Sequence, residues 1–333
     1  MGGLLAGGPL AFRAWALEGP LVPVFSRSLP ESRVTLASGG GRLFLLSQKA
    51  GSLFRLDPWT GTLFLRISGL ENPRDLAVGR FGNRLLVDLD SSRSLLIFPA
   101  TEAGPPLLRT VGLNPGQILG GADNRYYLVA RAVHILYALD PDRYRPRDWI
   151  AVGDVFRRVT SGMDGHLWLP LFRSDEVMEV GTSPFVVLRK IDLDRCSGPV
   201  RVFPLSSGGF LAGCRDALVR EDPSGQIRRF PLRGEFRHGV REMVLSPGGQ
   251  TALILFHRSR TMILFDISAM KGISRYHLPY RPRRLYIFPN WPILFVVMND
   301  PDHEMTRLFG YRLTDFHGQS ATVSVTYHKR KEK

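Results

Sequence analysis

Short apolar runs, broken by polar or glycine-rich stretches, succeed one another along almost the whole chain. None sustains the 3.6-residue period of an amphipathic helix, so the predicted elements are strands. A single cycle keeps returning. A polar residue, often Arg, precedes a short apolar strand; then come a tight turn, a stronger apolar strand, a polar loop, a third strand, an Asp/Pro/Gly turn and a fourth strand. In the second cycle Arg74-Asp75 precede Leu76-Ala77-Val78, residues 79–83 make the turn, and strands are predicted over 84–87, 95–98 and 107–111.

The residues just before each first strand are Arg33, Asp75, Gln117, Arg158, Arg201, Glu242 and Arg284, spaced 42, 42, 41, 43, 41 and 42 apart. Such regularity is the signature of a repeat architecture. The first turns keep the same register: Gly39-Gly40-Gly41, Gly79 to Asn83, Gly121-Ala122-Asp123-Asn124, Gly162 to Gly165, Ser206 to Gly209 and Ser246 to Gly249. Gly and Asn supply the positive φ that tight hairpins need. The third-to-fourth turn recurs at Asp57-Pro58, Asp140-Pro141 and Asp222-Pro223, with Asp expected to cap through its own carboxylate. Four short strands per cycle and no helix predict an all-β chain, a seven-bladed β-propeller with four antiparallel strands per blade. We expect one propeller domain over residues 22–328, an N-terminal extension over 1–21 and a basic tail over 329–333. Residues 22–28 and 321–328 compete for the outer edge of the last blade; both are expected to pack there, closing the ring with the termini close together.

Residues 72–87, Asn-Pro-Arg-Asp-Leu-Ala-Val-Gly-Arg-Phe-Gly-Asn-Arg-Leu-Leu-Val, and the turn Asp57-Pro58-Trp59-Thr60-Gly61 resemble the first hairpin and the Asp-x-x-Thr-Gly turn of YVTN/NHL-like seven-bladed propellers. The resemblance spans about residues 30–328 and implies that the first strand of each blade lines a central channel. It says little about chemistry, because this fold hosts binding modules, scaffolds and enzymes alike.

Charge then changes the picture. The chain carries a formal +14, and 38 of its 44 basic residues are Arg. Guanidinium forks suit carboxylates, phosphates and sulfates. Eight of the fourteen residues at and just before the seven repeat positions are Arg (Arg33, Arg74, Arg157, Arg158, Arg201, Arg241, Arg283 and Arg284), where an even spread would place fewer than two. In an antiparallel blade those positions share one face of the disc with the loops between second and third strands. These loops add Lys49, Arg93, Arg131, Arg173, Arg215, Arg258 and Arg260; the seventh is acidic instead, Asn299-Asp300-Pro301-Asp302-His303-Glu304. The expectation is a non-enzymatic interaction module or assembly subunit holding an acidic protein surface or a polyanion, polysaccharide or nucleic acid, on an arginine-rich upper face. The same arginines could instead pair with Asp75, Asp154, Asp194 or Glu242 and serve ring closure.

Two other classes stay open. A propeller hydrolase or lyase could assemble His238, His257, Asp154 or Glu242 at the channel mouth without any contiguous motif. A purely architectural component of a surface or multisubunit complex would be held by edges and termini. No cofactor is expected, since phosphate-binding loops, dinucleotide fingerprints and Gly-x-Ser-x-Gly elbows are missing from the sequence. No metal is expected either. Arg307 stands where a zinc-binding helix needs its second His, and Asp88-Leu89-Asp90-Ser91-Ser92 lacks the glycine and the closing Glu of a calcium loop, so it reads as a capped turn. Trp15, Trp59, Trp149, Trp168 and Trp291 read as packing residues. Cys196 and Cys214, the only cysteines, fall on the upper face of one repeat. Either they form a disulfide, favouring an extracytoplasmic or cell-surface setting, or they are free thiols in a reducing one. Ala14-Trp15-Ala16 has the form of a signal-peptidase site, but a basic n-region is lacking and Arg13 interrupts. No apolar stretch is long enough to span a bilayer as a helix.

Overall fold

The structure, a computed structural model, describes residues 21–30, 33–79, 82–90, 92–99, 105–112, 116–154, 156, 158–162 and 164–313. Residues 321–328, the basic tail and all of the N-terminal extension except Leu21 lie outside these. Seven sheets of four antiparallel strands each surround a common axis. The innermost strands are Val34–Gly39, Pro73–Val78, Gln117–Gly120, Thr160–Ser161, Arg201–Pro204, Val240–Leu245 and Arg281–Phe288, blades 1 to 7 in order.

Burial peaks at the second strands and falls toward the periphery. Second strands such as Arg42–Ser47, Arg84–Leu89 and Tyr126–Ala130 are almost wholly buried because a neighbouring blade covers each face. Their apolar runs are continuous for that reason. Outer strands such as Leu63–Ile67 and Pro146–Ala151 meet solvent. The apolar core is therefore seven wedges between adjacent blades, one of them holding Phe25, Leu36, Leu45, Phe295 and Leu308 where blade 7 meets blade 1. Trp168 and Trp291 pack in such wedges, whereas Trp59 and Trp149 are 49% and 63% exposed, a correction that follows from their place on a peripheral turn and an outer strand.

The turns obey their chemistry. Backbone φ is positive at Gly41, Asn124, Gly165, Gly209 and Gly249. Asp57 Oδ1 accepts from the amides of Trp59 and Thr60 at 2.9 and 2.8 Å, and Asp140 and Asp222 repeat the device. Asp266, in blade 6, does the same for Ala269 at 2.9 Å.

Ring closure uses the amino end. Phe25–Pro30 pairs antiparallel with Met305–Arg312 and becomes the outer strand of blade 7. The Phe25 ring lies flush on Gly61 and Gly310, where any Cβ would collide with it. Arg27 then reaches blade 1, its Nε donating to the Gly61 carbonyl at 2.9 Å. Strands distant in sequence thereby share one sheet, and blade 7 reaches its full four strands.

Asp88 corrects the expectation of a capped turn. It lies inside Arg84–Leu89, fully buried, and neither carboxyl oxygen has a hydrogen-bond partner among the described residues. Burial first, then repulsion from Asp75 and Asp90, pushes its pKa up to about 8. The unfolded chain ionises this group near pH 3.8. Stability from the neutral acid is thus complete below that value, is lost as pH rises, and levels off above about 8, a swing on the order of several kcal/mol. D88N should match wild type near pH 4 and exceed its melting temperature by several degrees at pH 8–9. Parallel thermal melts of the two proteins across that range would measure this, and equal slopes with pH would refute it.

Candidate site at the upper channel mouth

Three innermost strands carry a bulge at the register the repeat marks: between Pro73 and Leu76, Val240 and Glu242, and Pro282 and Arg284. A bulge takes consecutive residues off the simple alternation and re-aims their side chains. Here it splits each pair. Asp75, Glu242 and Arg284 engage neighbouring blades, while Arg74, Arg241 and Arg283 line the mouth.

Six of the seven repeat positions are polar ties around the axis. Asp75 Oδ2 accepts from the Ile118 amide at 3.0 Å, joining blades 2 and 3. Gln117 Nε2 donates to the Val159 carbonyl at 2.9 Å while its Oε1 accepts from the Val159 amide at 3.0 Å, joining 3 and 4. Arg201 in blade 5 donates through Nε to Glu242 in blade 6, and Arg158 of blade 4 approaches the other oxygen of Glu242 at 3.6 Å. Arg284 Nη1 donates to Thr35 Oγ1 at 3.3 Å and to Tyr286 Oη at 3.1 Å, tying blade 7 to blade 1. Gln48, from the loop after the second strand of blade 1, donates to the Arg74 carbonyl.

The electrostatics follow from this burial. Desolvation pulls Arg201 down to about 10, although Glu242 opposes it. Burial would raise Glu242, but Arg201 and then Arg158 hold it below the usual carboxylate range. Tyr286 stays below its ordinary value because Arg284 and Arg158 overcome its burial. These groups are occupied structurally.

Outside that ring opens a depression of about 690 Å³ over blades 1, 2, 6 and 7. Among the described residues its charged walls are Arg33, Lys49, Arg74, Arg241, Arg283 and Arg284, against the carboxylate of Asp90. Asp90 is paired with Arg74 at 2.8 Å. Gln48, Asn72 and Asn299 add amides, and among the described residues no aromatic side chain lines the cavity. Burial, then repulsion from Arg283 and Arg281, lowers Arg241 to about 10. A guanidinium so placed is electrostatically frustrated, and an anion in the depression would relieve it.

The other sequence-derived candidates lie elsewhere. Arg93, Arg131, Arg173, Arg215 and Arg258 are exposed on loops of the same face and do not line the depression. Arg215 lies over the Phe172 ring at 4.4 Å. Arg157 falls outside the described residues. His238 and His257 are exposed and away from the depression, and Asp154 caps the amides of Arg173 and Ser174 at 3.1 and 3.0 Å. The acidic loop of blade 7 is partly internal: Asp300 is buried, accepting from Arg307 Nε at 2.7 Å and lying 3.0 Å from His303 Nδ1. Cys196 and Cys214 sit in the wedge between blades 4 and 5, Cα atoms 5.8 Å apart and sulfurs in bonding contact.

The ties and the mouth arginines should separate by mutation. R201S leaves Glu242 buried with a weakened partner and should cost about 3–5 kcal/mol. R283S, on the exposed rim, should cost less than about 1 kcal/mol. Denaturant titration of both variants checks the contrast; equal losses would contradict the division.

No protein-family model matches the chain, and no curated protein matches it in sequence. Solved structures do match in fold. A virginiamycin B lyase from Staphylococcus aureus superposes with TM-score 0.67 at 12% identity, covering 86% of this chain and 98% of that one. A Kuenenia stuttgartiensis hydrazine synthase gives 0.68 at 14%, covering 84% and 95%. The β-propeller domain of Myceliophteria thermophila Cps50 (Swd1) gives 0.66 at 11%, covering 87% and 99%. Identities this low carry architecture alone, and they span an enzyme and a propeller module. On strand order, blade count and these superpositions, the chain is a seven-bladed β-propeller.

Proposed function

We propose that this propeller is an interaction module that captures an anionic partner in its upper depression. The observation that carries the reading is the wall itself: six cationic side chains and one carboxylate around about 690 Å³. Clustered like charges in a concavity focus positive potential and draw in anions. Arg74 and Arg283 remain solvent-accessible, so they can form bidentate contacts with carboxylate, sulfate or phosphate oxygens. Because the wall offers no ring for base stacking among the described residues, recognition rests on charge, which favours an acidic protein surface or acidic polysaccharide over single-stranded nucleic acid. The exposed arginines of the surrounding loops would extend the contact of a large partner.

The quadruple variant Arg33→Ser, Arg74→Ser, Arg241→Ser, Arg283→Ser should bind heparin and polyglutamate at least about tenfold more weakly than wild type at 50 mM salt. Its binding should also fall less steeply between 50 and 300 mM salt. The melting temperature should change little, since Arg201, Arg158 and Arg284 are retained. Unchanged affinity and salt dependence would sink the reading.

We also propose that Cys196 and Cys214 form a disulfide in the mature protein. It would close a separation of 18 residues across the blade 4–5 wedge. The expected contribution is about 3 kcal/mol. Mass spectrometry of the protein alkylated without reductant should find no modified cysteine. Reduction should lower the melting temperature of wild type and leave that of C196S/C214S unchanged; two alkylated cysteines before reduction would exclude the bond.

A further inference from the structure

One sector of the opposite face of the disc is acidic. Across blades 3 to 5, in a chain of net charge +14, Asp123, Asp164, Glu179 and Glu221 gather about Arg125 and Arg189. The turn joining the first two strands of blade 4 carries Asp164 and His166, and Asp164 Oδ1 fixes it by accepting from the His166 amide at 3.0 Å. Glu179 comes from the third strand, Glu176–Thr182, opposite Trp168. His166 Nδ1 lies 2.6 Å from Glu179 Oε1 and 3.6 Å from Asp164 Oδ2, and one ligand atom from each of the three residues falls within 4.8 Å of the others.

The surroundings complete the arrangement. Arg189 Nε holds the other oxygen of Glu179, and its Nη1 pairs with Glu221 at 3.0 Å. Glu221 is buried, and its second oxygen has no hydrogen-bond partner among the described residues. On the open side is a cavity of about 380 Å³ lined by Asp123, Asp164, His166, Thr182 and Ser183 among others.

We propose that Asp164, His166 and Glu179 bind a divalent transition-metal ion. One imidazole nitrogen and two carboxylates make a mixed donor set suited to zinc or manganese, and the nitrogen disfavours magnesium. The ion sits between His166 and Glu179, with neutral imidazole ligating through Nδ1 and its N–H on Nε2. Arg189 acts from behind, orienting Glu179 so that Oε1 faces the ion, as outer partners of metal carboxylates do. The cavity leaves further coordination positions open to water or a small ligand. This site shares no residue with the arginine-walled depression, so the two readings stand or fall separately.

The test uses the full chain stripped with EDTA and dialysed free of chelator. Zinc is titrated by calorimetry, manganese by electron paramagnetic resonance, and magnesium serves as the control. Wild type should take up one zinc or manganese ion per chain, with magnesium at least about tenfold weaker. H166A and D164N should each weaken zinc binding by about tenfold or more. D164N lies on an exposed turn and keeps both the capping oxygen and the His166–Glu179 contact, so a loss of binding with unchanged circular dichroism cannot come from unfolding. Zinc affinity no better than that for magnesium, or equal stoichiometry and affinity in wild type, H166A and D164N, would overturn the proposal.

Discussion

Seven innermost strands converge on one axis, and their polar ends must be satisfied in the space where the blades crowd closest. Glu242 is the pivot of that solution. Buried and ionised, it receives Arg201 from its own side of the ring and Arg158 from blade 4. Removing two charges from water costs several kcal/mol per ion, and the cost is recovered only when geometry and hydrogen bonding are good. The other ties, Asp75 to Ile118 and Gln117 to Val159, use neutral or singly charged bonds to backbone and lower that demand. Apolar wedges between blades supply the bulk of cohesion, whereas the polar ring sets the blades in register.

The upper mouth inherits its charge from this arrangement. Each bulged strand spends one residue on the ring and turns its neighbour outward, so a cationic wall appears directly above a satisfied inner circle. Buried ties and mouth-lining arginines are thus one residue apart in sequence. Arg284 belongs to both, tied to Thr35 and Tyr286 yet lining the depression. Electrostatic frustration at Arg241 is tolerable because the cavity is open to water, which screens what a closed core would not.

The two faces differ for a topological reason. One collects strand starts and the loops after second strands, where arginines recur; the other collects hairpin turns rich in Asp, Asn and Gly, whose carboxylates cap their own backbones. A turn-borne Asp and His beside a strand-borne Glu become an acidic basin only where neighbouring blades supply few cations. Propellers matching this fold at 11–14% identity include proteins of different activities, in keeping with chemistry that resides in face loops while the sheets persist.

Blade number, strand order and turn chemistry were legible along the chain, because period-42 recurrence, glycine placement and Asp-Pro turns are local properties that each blade writes for itself. Charge enrichment at the repeat position was legible too. What each guanidinium does there was not: Arg201 is buried against Glu242, Arg283 faces the mouth, and nothing adjacent in sequence distinguishes them, since the decision lies in bulges and in partners about forty residues away. The buried Asp88, the exposed Trp149 and the meeting of Asp164, His166 and Glu179 were likewise invisible. Each depends on which surfaces a neighbouring blade covers, and that is settled only when the ring closes.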